Sequence, residues 1–256
     1  MKKIVVQIYE VQTPSEADKL MALGVDNIGS VLVSEENWQV PPIRETIQVV
    51  QAAGALSSLI SLFNGTEALY SALDYYRPDI VHFCEELTDA AGGGNIQNKL
   101  IDLQGDLKDK FPGIKLMRSI PIAQTGFSDR VPTLELARRF EAVSDYFLTD
   151  TMLLNTSDIQ VVAQPVKGFV GITGKTCDWS MAAKLVATSR IPVILAGGIA
   201  PENVFEGIRN VSPAGVDSCT RTNAIDFEGR SVRFKKDLDK VKRLVAETRR
   251  AEQTLN

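Results

Sequence analysis

The chain has 256 residues, 44% hydrophobic and 23% charged, with 28 Lys+Arg against 32 Asp+Glu for a formal net charge of −4. These proportions exclude a disordered tail, a collagenous repeat or a disulfide scaffold. The acidic balance argues against nucleic acid or an anionic membrane as partner, because both call for a basic face.

His82 is the only histidine, and Cys84, Cys177 and Cys219 form no CxxC pair, so a structural zinc site lacks its usual ligands and no metal is expected. Unpaired thiols point to a reducing, cytoplasmic setting. The N-terminus has only short apolar stretches, broken at Gln7 and Glu10, and does not read as a signal peptide. No run of about 18 apolar residues occurs, so no membrane span is expected.

In chain order, short β-rich runs alternate with stretches at helical spacing, the pattern of parallel βαβ units. The strands are expected at Ile4–Tyr9, Asn27–Val33, Leu56–Phe63, Ile80–Cys84, Ile114–Ser119, Tyr146–Thr149, Val193–Ala196 and Gly215–Cys219. Most are near-continuously apolar, as strands covered on both faces are. Thr13-Pro14-Ser15-Glu16 predicts a helix start with a capping box. Other helices are expected over Thr66–Tyr76, Thr133–Val143, Asp178–Thr188 and Lys236–Glu252, with one opening at Pro201. In the fourth unit, Ala91 to Asn95 reads as a flexible break, followed by a stripe of Ile96, Leu100, Leu103, Leu107 and Phe111. We read this as an insertion around 91–112 within a single domain over 1–256 that ends in a long helix.

Eight such units in 256 residues fit a closed (β/α)8 barrel, typically about 250 residues long. An open doubly wound sheet is the alternative, but the turn after the first strand, Tyr9-Glu10-Val11-Gln12, lacks the glycine fingerprint. In a barrel the chemistry belongs at the carboxyl ends of the strands. There Gly197-Gly198 leads toward a helix N-terminus, and Thr220 and Arg221 follow the eighth strand, the usual phosphate site of such barrels. Gly171-Ile172-Thr173-Gly174-Lys175-Thr176 has the composition of a nucleotide-binding loop but not its spacing, since Phe169 stands where the first glycine belongs. Asp150, ending the sixth strand, is a candidate general acid or base, or else a turn cap. His82 within an apolar strand reads first as a hydrogen-bonded structural histidine. Trp38 and Trp179 fit either stacking or packing.

Three segments then resemble one family. Gly171–Trp179, Pro192–Val204 and Gly215–Asp217 closely follow, in order and spacing, the GGTGKTFDW, PVILAGGLxPENV and GVDVSSG patterns of phosphoribosylanthranilate isomerase. Weaker echoes lie at Pro14 and Ala17, at Val40-Pro41-Pro42, and at Val81–Cys84, which take the place of VQLH. The resemblance implies a single TIM barrel of the ribulose-phosphate-binding type. It also implies an Amadori rearrangement of N-(5'-phosphoribosyl)anthranilate in tryptophan biosynthesis, without cofactor. Asp150 matches the family's general acid. Tyr9 stands where the family has its catalytic Cys and Glu10 where it has glycine, so the base falls to Glu10 or Tyr9. Alternation along a strand argues against both pointing inward. Thr173, Gly174, Gly197, Gly198, Thr220 and Arg221 are the expected phosphate and substrate contacts. The family's carboxylate-gripping arginine has no counterpart in Ser34–Val40, which carries Glu35 and Glu36 instead.

The expected partner is a phosphorylated small molecule, with neither nucleic acid nor membrane, and a homo-oligomer is left open. An isomerase or lyase acting on another phosphorylated sugar, and a non-catalytic barrel that binds a phosphorylated metabolite, are the competing functions.

Overall fold

The computed structural model describes residues 3–63, 65–87, 94–154 and 166–255. Among these, β1 (Val5–Ile8), β2 (Asn27–Leu32), β3 (Leu56–Ser61), β4 (Ile80–Phe83), β5 (Lys115–Ala123), β6 (Tyr146–Met152), β7 (Val193–Leu195) and β8 (Gly215–Ser218) close into a parallel barrel in chain order. The barrel closes through β1 pairing β8 from Val5↔Gly215 to Ile8↔Ser218. Helices α1 (Pro14–Ala22), α2 (Pro41–Ala52), α3 (Thr66–Tyr76), α4 (Gly94–Lys110), α5 (Thr133–Phe140), α6 (Trp179–Thr188), α7 (Val204–Val211) and α8 (Leu238–Glu252) follow the strands in turn. Outward strand side chains such as Val6, Ile8, Phe147 and Leu195 pack with helix residues such as Leu20, Leu185 and Leu244 in one buried layer. Inward ones, Tyr9, Val31, Ile60, Ile80, Met117, Leu148 and Ile194, fill the barrel itself.

The local signals act largely as read. Thr13 caps α1 by accepting from the Glu16 amide at 3.4 Å, but the reciprocal half of the capping box is not made: the Glu16 carboxylate accepts from the Lys236 amide at 2.7 Å. Asp178 and Asp237 each cap a helix through their carboxylates. Helix α7 begins three residues after Pro201, because Asn203 first locks the turn, accepting from the Ala200 amide at 2.8 Å and donating to the Gly198 carbonyl at 3.0 Å.

Three expectations change. Strands β5 and β6 continue to Ala123 and Met152, paired through Pro121↔Asp150. Since β4 ends at Phe83 opposite Arg118, one edge of β5 has no strand to bond beyond that point, and a residue without an N–H is tolerated there. Gly94 and Asn95 open α4 rather than forming a break, so the stretch read as an insertion carries the crossover helix of the fourth unit; the rest of the glycine run, 91–93, lies outside the described residues. Lys236 ends a strand rather than starting the last helix. An unexpected antiparallel hairpin, β9 (Asn223–Ile225) and β10 (Ser231–Lys236), follows the barrel. Its buried Lys236 bonds the Cys219 carbonyl at 3.1 Å and the Asn223 side chain, tying the hairpin to the loop after β8.

Candidate active site

The carboxyl ends of the strands surround one cavity. Asp150, Tyr9, Glu10, Thr173, Gly174, Gly197, Gly198, Thr220 and Arg221 all line it, together with His82, Cys84, Asp217 and Cys219. The fold therefore brings together every residue singled out as a site candidate.

Asp150 is set by β6. Its carboxylate accepts from the Ser119 hydroxyl at 3.3 Å and from the Thr151 amide at 3.2 Å. The backbone at Gly171 passes so close over this carboxyl that a Cβ there would collide with both oxygens. Burial raises the group from 3.8 to about 7, against the lowering effect of its two donors.

Asp217 is a second carboxyl, which the reading of the sequence did not single out. β6 pairs Leu148 with Ile194, and β8 pairs Val216 with Leu195. Continued along the strands, this register sets Asp150 and Asp217 at the level of Ala196, on either side of it. Alternate barrel strands contribute side chains to one interior layer, so the two acids face the same space. Asp217 is held by the Gln7 amide at 3.1 Å. Burial lifts it to about 7, and Asp150 nearby adds to the rise. The signal that would have found it is its inward position at the end of β8 within the Gly215-Val216-Asp217 motif.

Tyr9 and Glu10 both line the cavity, contrary to the expectation from strand alternation. Strand β1 ends at Ile8, and Glu10 takes a left-handed φ of 64° that turns it back inward. That conformation costs a residue other than glycine about 1–2 kcal/mol. It is held by Arg233 of β10, whose guanidinium meets the carboxylate at 2.5 and 2.6 Å, and by Asn223 at 3.5 Å. The Tyr9 hydroxyl is spanned by Ser58 at 2.5 Å and His82 at 2.9 Å, and burial pushes the phenol well above 10.

Directly after Ala196, between the strands that carry the two acids, the chain makes a tight glycine turn. Gly197 and Gly198 have φ of 86° and 64°, and a Cβ on Gly198 would lie 2.6 Å from the Lys175 carbonyl carbon and 2.7 Å from the Thr176 nitrogen. Only glycine lets these two loops touch, which leaves backbone beside the turn into α7. Gly198→Ala is expected to cost about 1–3 kcal/mol of stability and to weaken binding of inorganic phosphate. Calorimetric melting and phosphate titration check this, and unchanged phosphate affinity would remove the glycine pair from the anion site. Arg221 is exposed at the rim beside Thr220.

Residues 34–39 do not line the cavity. Trp38 packs edge-on against Tyr75 and Tyr76, and Trp179 lies against the outer core, so both tryptophans pack rather than stack on a ligand. Among the described residues the cysteines are unpaired and no cluster suited to a metal occurs. Nor is any helix among them long and apolar enough to cross a membrane.

A sequence model of the N-(5'phosphoribosyl)anthranilate (PRA) isomerase family matches residues 95–247. The N-(5'-phosphoribosyl)anthranilate isomerase of Methanocella arvoryzae is 32% identical over 148 residues, covering 58% of this chain and 57% of that one. Isomerase 2 of Methanosarcina mazei is 34% identical over 148 residues, covering 55% and 58% respectively. The alignments thus span under two thirds of these relatives' length. The crystal structure of phosphoribosyl anthranilate isomerase from Thermotoga maritima superposes with a TM-score of 0.65 at 19% identity, covering 96% of this chain and 98% of that one, which shows the shared fold. With its family match extending over more than half of the sequence and its barrel closed in the same architecture, the chain belongs to the N-(5'-phosphoribosyl)anthranilate isomerase family.

Proposed function

We propose that this chain catalyses the Amadori rearrangement of N-(5'-phosphoribosyl)anthranilate, a step of tryptophan biosynthesis, in the cytoplasm. The observation that carries the reading is one cavity holding two inward carboxyls, with a glycine turn suited to an anion following the strand between them. The substrate phosphate sits against Gly197, Gly198, Thr173, Gly174, Thr220 and Arg221. Val31, Ile60, Leu62 and Leu148 form an apolar wall suited to the aromatic ring.

Asp150 is the general acid. Its proton passes to the ribose ring oxygen as the C1'–O bond breaks, and the nitrogen lone pair forms the C1'=N bond. The base then takes the C2' proton, and the C–H electron pair forms C1'=C2' while the nitrogen is neutralised. The resulting enolamine tautomerises to the ketose by losing the C2' hydroxyl proton and gaining one at C1'.

Asp217 is the base. A carboxyl lifted to about 7 is matched to proton abstraction at neutral pH. Tyr9 is tied into hydrogen bonds with its proton held tightly, and the Glu10 carboxylate is occupied by Arg233. Both are weaker candidates than Asp217.

The test is turnover of the purified chain on N-(5'-phosphoribosyl)anthranilate, with the ketose isomer separated by chromatography. Conversion is expected to be abolished by Asp150→Asn and by Asp217→Asn, and to survive Tyr9→Phe and Glu10→Gln. A chain that binds the substrate without converting it would overturn the proposal. A second reading, an isomerase of this type working on a phosphorylated sugar without an acidic aromatic, is favoured by the cavity lining, in which the one Lys or Arg among the described residues is Arg221, already placed with the phosphate contacts. Turnover of such a sugar in preference to the anthranilate compound would select it.

A further inference from the structure

A hydrogen-bond chain crosses the barrel interior behind Asp150. Ser58 Oγ lies 2.5 Å from the Tyr9 hydroxyl, which lies 2.9 Å from His82 Nδ1. His82 Nε2 lies 2.9 Å from Ser119 Oγ, and Ser119 donates to the Asp150 carboxylate at 3.3 Å. An ionised Asp150 can only accept and each hydroxyl has a single hydrogen, so with Asp150 ionised the last contact sets the direction of all the others. Ser119 gives its hydrogen to Asp150 and must accept from His82 Nε2. His82 Nδ1 is then bare and accepts from Tyr9, which accepts from Ser58.

We propose that His82 and Ser119 are positioning residues for Asp150: a neutral imidazole protonated on Nε2 alone aims the Ser119 hydrogen at the Asp150 carboxylate. The functional weight of this device rests on the reading of Asp150 as general acid, but the hydrogen-bond direction does not.

The surroundings favour the neutral ring. His82 is 3% exposed, and burial, with the Arg118 charge adding, lowers it to about 3. Arg118 is itself buried, bonded to Glu85 at 2.6 Å and Gln104 at 2.7 Å. Among the described residues, the titratable groups that feel the Asp150 charge include Asp217 from β8, Cys84 beyond β4 and Cys177 ahead of α6; burial holds both thiols protonated, with Cys177 raised to about 12. Ser119 is thus the side-chain donor that opposes the desolvation of Asp150. Without His82 Nε2–H, the Ser119 oxygen loses the donor that pins it, its hydrogen is free to turn away, and Asp150 becomes a weaker acid.

Because His82 is the only histidine, its imidazole nitrogens give unambiguous 15N signals. The expected result is a neutral ring with a protonated Nε2 and a bare Nδ1 from about pH 8 to 9, where Asp150 is ionised. Titration inside that range, or a proton on Nδ1, would overturn the proposal. The 13C carboxyl titration of Asp150 supplies the second reading. His82→Leu is expected to raise its midpoint by about one pH unit, whereas His82→Gln, whose amide can donate toward Ser119, leaves it near the parent value. An unmoved midpoint in His82→Leu would reduce His82 to a packing role and overturn the proposal. Should His82→Leu fail to fold, Ser119→Ala removes the donor directly and must give the same upward move. Neither readout needs substrate, so a failure of the proposed reaction and a failure of this device are separable.

Discussion

Asp150→Asn is expected to lower kcat on N-(5'-phosphoribosyl)anthranilate by about 10²–10⁴-fold, the range for loss of a general acid, with KM nearly unchanged. Asn keeps the size of the side chain and one acceptor oxygen, which can still take the Thr151 amide, while its NH2 replaces the other oxygen and faces the Ser119 hydroxyl as a donor, so the barrel has little reason to rearrange. What is lost is the proton. The pH profile of the parent carries the same signature: with Asp150 raised from 3.8 to about 7, the acid form is present below pH 7, and kcat falls as pH rises beyond it. A variant that retains activity within tenfold of the parent would take the acid role from Asp150.

Asp217→Asn is expected to show two opposite effects. Activity falls by about 10²–10⁴-fold, because an amide cannot accept the C2' proton. Stability rises at high pH. The folded protein keeps the Asp217 proton to about pH 7, whereas an unfolded Asp releases it near 3.8. The contribution is therefore fully present below 3.8 and is lost as pH rises through 7, where a charge must be held inside the barrel. Removing that charge is expected to stabilise the variant at pH 8 by about 2–4 kcal/mol relative to the parent, with little difference at pH 4. Denaturant melts at the two pH values measure this, and Gln7 can still bond the Asn oxygen. Loss of activity without the pH-dependent gain would mean that Asp217 is not buried as a strained carboxyl.

The two acids were not equally legible. Asp150 could be singled out because it follows the apolar run Tyr146–Thr149, read as a strand, and strand ends are where a barrel does chemistry. Asp217 occupies the matching place on β8 but lay hidden inside a motif, and only the register across β7 sets it level with Asp150. The glycine pair was legible as a tight turn at a strand end; that Gly198 must be glycine follows from its approach to Lys175 and Thr176, more than twenty residues earlier. Glu10 was placed wrongly with respect to Tyr9 because alternation holds only within a strand, and β1 stops two residues short of it.

Residue order alone determined the architecture: eight apolar runs alternating with helical stripes leave a closed parallel barrel as the way to bury every face. Those signals are local, set by backbone sterics and by the period of side chains along a strand or helix. The hairpin that holds Glu10, the pairing of Asp150 with Asp217, and the chain from Ser58 to Asp150 were decided only by the tertiary structure. Their partners lie tens to hundreds of residues apart, and the direction of each hydrogen bond depends on which groups the closed barrel shuts away from water.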